Sequence, residues 1–178
     1  MKRNAIVFGL IAGGIVSAFM VIGMAMCHGE PNYENSMYIG YAAMLVAFSF
    51  VFVGVKNYRD KYNGGVISFG KAFQLGLYIT LVACTLYVVV WVIDYYCFIP
   101  DFMDKYAAHM LKSVQESGAS QDKINSTIAE MDKYKAMYKN PVWVVLLTYM
   151  EILPIGLVAT LLSALILKRK PKEAIVAM

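Results

Sequence analysis

The chain has 178 residues, of which 60% are hydrophobic and only 16% charged, where an ordinary soluble domain has about half apolar and a quarter charged residues. Mean hydropathy is +0.57, and the excess falls in four blocks, which argues against a soluble domain and for a multi-pass, all-α membrane protein. The net charge of +4 sits beside those blocks rather than on a soluble face, so it reads as topology and lipid-headgroup charge and not as a nucleic-acid surface.

A short basic start, Lys2 and Arg3, precedes an uncharged run over residues 5–27 that is long enough to span the hydrocarbon. A cleaved signal peptide is the competing reading, but the run exceeds the usual apolar core of about 7–15 residues, so a retained helix is expected. Gly9, Gly13 and Ser17 recur every fourth residue and define a helix-packing face, either inside the bundle or between copies. Met20, Met24, Cys27 and His28 fall near one face as well. They have the softness of copper(I) ligands, but methionine is also a common apolar filler, and no cofactor or metal is expected. Residues 28–36 form a turn-rich loop with two acids and no Lys or Arg.

The second span is expected over residues 37–55. A basic connector follows, with Lys56, Arg59, Lys61 and Lys71 set against one acid, Asp60. Asn63-Gly64-Gly65 marks a turn, and Ser68 is placed to cap the third helix. The third span covers residues 72–96. Asp94 lies near its outer end beside Trp91, Tyr95 and Tyr96, where a hydrated carboxylate within an aromatic interfacial belt is expected. Residues 101–140 mix both signs of charge. Phe102, Tyr106, Met110 and Val114 form one apolar stripe, and Ile124, Ile128, Met131, Tyr134 or Lys135, and Tyr138 form another. Neither run is apolar enough to span, so an extramembrane helical hairpin with its turn at Gly118-Ala119-Ser120 is predicted. Pro141 opens the fourth span, residues 142–167, which Glu151 and Pro154 interrupt before a basic stop at Lys168, Arg169, Lys170 and Lys172.

Ten of the sixteen Lys and Arg lie at the two termini and in the connector. The other six share the long loop with six acids. Positive-inside then puts both termini and the connector in the cytoplasm of a bacterial inner membrane, with the hairpin in the periplasm.

The run from Phe50 to Gly76 (Phe-Val-Phe-Val-Gly-Val-Lys-Asn-Tyr-Arg-Asp-Lys-Tyr-Asn-Gly-Gly-Val-Ile-Ser-Phe-Gly-Lys-Ala-Phe-Gln-Leu-Gly) resembles the hallmark of the family called domain of unknown function 4199, found mainly in Bacteroidota. Gly9-Leu-Ile-Ala-Gly13 and the four-span layout are similar to it too. The resemblance implies a helical inner-membrane protein and brings no activity, cofactor or catalytic residue.

Few groups carry chemistry. Glu151 lies about 13 Å into the fourth span at 1.5 Å per residue, where a carboxylate usually faces a bundle interior or a cavity. It reads either as a proton or cation site or as a protonated Glu hydrogen-bonded inside the bundle. Asp94 is the second intramembrane candidate, and more so if it faces Glu151. A Cys27–Cys97 disulfide is a pairing that an oxidising compartment permits. Lys56, Arg59, Lys61 and Lys71 are expected to meet lipid or a partner at the inner surface, or to anchor topology alone. No phosphate loop, metalloprotease or nucleophile-elbow motif occurs. The expected function is a non-enzymatic accessory or structural role through contacts with lipids, another membrane or periplasmic protein, or a second copy. A small oligomeric transporter or channel component using Glu151 is the alternative, and an intramembrane enzyme ranks last.

Overall fold

The computed structural model describes residues 1–26 and 33–169. Six helices follow in order: α1 (Lys2–Met26), α2 (Tyr33–Tyr62), α3 (Phe69–Cys97), α4 (Phe102–Glu116), α5 (Gln121–Tyr138) and α6 (Pro141–Leu167). Among the described residues the only extended pairing is an isolated antiparallel bridge between Ile67 and Arg169. Helices α1, α2, α3 and α6 are each long and apolar enough to cross a membrane. They form a bundle in the ring order α1, α2, α6, α3, and α2 also touches α3 across the middle.

Small residues let these helices approach closely. A Cβ on Gly9 would lie 2.9 Å from the Ile79 carbonyl oxygen, and one on Gly13 would lie 2.9 Å from that of Ala83. The Gly9, Gly13 and Ser17 face therefore packs on α3 within one chain. The core is apolar and tight, with Ala12, Ala47, Val51, Leu75, Ile79 and Ile152 fully buried. Leu10, Leu45, Val158 and Leu162 remain exposed on the outside, as suits helices surrounded by hydrocarbon.

Several boundaries differ from the sequence expectation, and α2 begins four residues early, at Tyr33. Helix α2 continues seven residues past 55, because Lys56 to Tyr62 end the apolar span without ending the helix. It stops where Gly64 and Gly65 take φ of 65° and 77°, a left-handed region open to glycine. Helix α3 begins at Phe69, and the Ser68 hydroxyl caps it by accepting the Lys71 amide at 3.4 Å. Helix α1 starts at Lys2, three residues early.

Between α3 and α6 the predicted hairpin forms. Gly118 (φ 69°) makes its turn, and Ser120 caps α5. The buried positions of α4 are Met103 and Ala107, one residue on from the expected stripe. Phe102 and Tyr106 are half-buried instead, because they turn sideways onto the bundle end. Ile128, expected on the apolar stripe of α5, is exposed at 41%. The hairpin seats on a second apolar cluster of Trp91, Tyr95, Ile99, Met103 and Val144, flanked by Met20 and Met24 of α1. Trp91 meets Phe102 edge-on at 5.0 Å, and Tyr95 meets Tyr138 at 5.3 Å. Trp91 and Tyr95 are thus buried under the hairpin rather than set in an interfacial belt, and only Tyr96 of the three stays exposed.

Candidate functional site

Two regions gather the polar groups of the bundle, one at mid-depth on α6 and one at the connector end. The first surrounds Glu151. Asn140 caps α6 by accepting the Val142 amide at 2.9 Å, and Pro141 occupies the first helical turn. Glu151 follows ten residues later, about 15 Å along the axis. Pro154 sits inside α6 without breaking it, and its missing N–H leaves the Met150 carbonyl without its usual helical donor. The Glu151 side chain is exposed on the bundle's flank instead of pointing into the packed interior, and it has no ion-pair partner among the described residues. Its carboxylate is within electrostatic reach of Tyr87 on α3, Tyr106 on α4 and Tyr138 on α5. Burial pushes the Tyr138 hydroxyl up to about 12 and also raises that of Tyr106, so both stay neutral hydrogen-bonding groups. Asp94 is buried at 9% exposure, and its backbone carbonyl accepts the amides of Phe98 and Ile99. With one carboxylate buried and the other exposed, Asp94 and Glu151 do not share one enclosed pocket.

The interior beside Glu151 is closed by a seam between α3 and α6. The Thr80 hydroxyl lies 2.9 Å from that of Thr160 and 3.2 Å from the Gly156 carbonyl. A Cβ on Gly156 would come 2.5 Å from Thr80 Cγ2. Sequence reasoning missed this seam. Its signal was present as small residues four apart, Gly76 and Thr80 on one helix and Gly156 and Thr160 on the other.

The second region is the connector. Asn63 Nδ2 donates to the Val66 carbonyl at 2.5 Å, and Lys71 Nζ donates to Asn63 Oδ1 at 2.8 Å while lying 5.5 Å from the centre of the Tyr58 ring. Arg59 Nε donates to Asp60 at 2.7 Å, and its Nη1 reaches the Leu167 carbonyl at 3.4 Å. Ile67 and Arg169 exchange both backbone hydrogen bonds, at 3.1 and 2.8 Å. Arg59 and Lys71 are therefore engaged in tying α2, α3 and α6 together, whereas Lys56 and Lys61 are exposed.

The remaining candidates are dispersed. Met20 and Met24 pack under the hairpin. Cys27 and His28 lie outside the described residues, and with them the Cys27–Cys97 disulfide and the soft-ligand set. Cys97 is exposed and Cys84 buried. Among the described residues no three His, Cys, Asp or Glu side chains converge on one point.

Comparison with known proteins gives a match to one family model, described as "Protein of unknown function (DUF4199)", over residues 7–169. No curated protein and no solved structure matches the chain. With four membrane-spanning helices, the connector text that carries the resemblance, and a match covering nearly the whole length, the chain belongs to the DUF4199 family.

Proposed function

We propose that this protein is a non-enzymatic accessory component of the bacterial inner membrane, with both termini cytoplasmic, that holds a partner membrane protein against the flank of α6. The observation that carries the reading is the exposure of Glu151 at mid-depth. A carboxylate facing hydrocarbon costs about 3 kcal/mol on insertion scales, so intramembrane acids turn toward a protein or water. Here the bundle interior is filled and its Thr80–Thr160 pair is satisfied, which leaves the group outside the chain's own core. The spans themselves, residues 5–27, 37–55, 72–96 and 142–167, hold no Lys, Arg or His, so a cationic counterpart at this depth comes from another protein. A span carrying a cation or an amide donor at this depth fits, with the neighbouring tyrosines framing it. The packed, apolar interior supports this reading over transport through the bundle.

A photo-reactive residue at Met150, which is 72% exposed beside Glu151, tests it in native membranes. The expected result is a discrete adduct with a membrane protein bearing such a donor, lost in Glu151→Ala and kept in Glu151→Gln. A yield unchanged in Glu151→Ala, or lipid adducts alone, would overturn the proposal.

A further inference from the structure

Below Glu151, on the connector side, α2 and α6 diverge to leave an open groove of about 370 Å³. Phe48 and Phe52 form one wall, and Ile155, Val158, Leu162 and Ile166 form the other. Its two hydroxyls are turned back on their own helices, Ser49 to the Val46 carbonyl and Ser163 to the Ala159 carbonyl, each at 2.6 Å. The groove is therefore hydrocarbon in character along its length. From 155 to 166 it runs about 16 Å, close to one leaflet of a hydrocarbon core of about 30 Å. The open groove has the length of one leaflet and wholly apolar walls, as an extended acyl chain requires.

The mouth of the groove has the opposite character. On α2 the wall positions 45, 49 and 52 continue by helical spacing to Lys56 and Arg59. On α6 Ile166 is followed directly by Lys168 and Arg169. Among the described residues Asp60 is the nearby acid and is paired with Arg59, which leaves Lys56, Lys168 and Arg169 in excess there, all three exposed. The bridge to Ile67 fixes the Arg169 backbone, so this charge is held at the mouth before any ligand arrives.

We infer that the groove between α2 and α6 holds one acyl chain of an anionic phospholipid from the connector-side leaflet, with its phosphate set between Lys56, Lys168 and Arg169. Chain length, apolar walls and a basic mouth at headgroup height all match that one occupant. The site is independent of the Glu151 contact, which lies one turn above its upper end.

The test is native mass spectrometry of the full chain released from vesicles containing equal phosphatidylglycerol and phosphatidylcholine. One phosphatidylglycerol per chain is expected to survive delipidation. Lys56→Gln, Lys168→Gln and Arg169→Gln should each weaken retention on the order of fivefold, since each basic residue near the surface contributes that much. Val158→Trp, which fills the groove from an exposed position, should abolish retention without altering thermal unfolding in detergent. Glycerol 3-phosphate, with the same phosphate and no chain, should not compete, and Glu151→Gln should leave retention unchanged. Equal retention of phosphatidylcholine, or retention unaffected by the charge variants or by Val158→Trp, would refute the site.

Discussion

Gly156 is the residue on which the α3/α6 seam closes, because a methyl there would meet both Thr80 Cγ2 and, at 2.8 Å, Phe48 Cε1. Overpacking of this kind costs about 1–3 kcal/mol. Gly156→Ala should lower the unfolding midpoint in detergent accordingly, and adding Thr80→Ser, which removes the offending methyl, should recover part of the loss. An unchanged midpoint would mean that the helices separate freely at this point. The Gly9 and Gly13 face was legible in the sequence because its repeat stands in otherwise bulky text. The Gly76, Thr80, Gly156 and Thr160 set was not read, because threonine hides a small-residue repeat and because the partners lie about 80 residues apart. The exposure of Glu151 was illegible for a different reason. A helix apolar on every side carries no moment from which its buried face can be read.

At the scale of elements, the connector is a structural joint before it is a charged surface. Its turn is over-determined by two left-handed glycines, the Asn63 side chain and the Lys71 ammonium. Gly65→Ala forces an alanine to φ near 77° at a cost of about 1–2 kcal/mol. Hydrogen exchange should then quicken at the Ile67 amide, which donates to the Arg169 carbonyl, while α1 amides keep their protection. Equal protection at Ile67 in both proteins would count against the joint. The sequence announced the turn through Asn63-Gly64-Gly65, and Ser68 announced the helix after it. The role of Lys71 was concealed, because positive-inside reasoning assigns every cation to the lipid surface and the Lys71–Asn63 bond appears only once the turn has brought them together. The hairpin was legible in existence and in its Gly118 turn, yet its docking was not. The Trp91, Tyr95 and Tyr138 contacts depend on which way the hairpin folds back, and local periodicity does not encode that.

For the whole molecule, the four spans were readable from hydropathy alone, since hydrocarbon demands long, unbroken apolar helices. The arrangement requires the connector and the hairpin turn to face opposite compartments. In a chain with its cysteines replaced by serine, Lys61→Cys should react with a membrane-impermeant maleimide only after permeabilisation, and Ser117→Cys should react in intact spheroplasts. Labelling of both from one side would overturn the four-span topology. The Ile67–Arg169 bridge adds a matter of timing. Its two strands are separated by about a hundred residues, so at a synthesis rate of about 5–20 residues per second the first strand waits roughly 5–20 s for the second. Throughout that interval two spans, α3 and α6, and the whole hairpin must leave the ribosome while the backbone of Ile67 is bonded to water. The connector end of the bundle is therefore closed only after α6 has emerged, and α6 acts as its clasp.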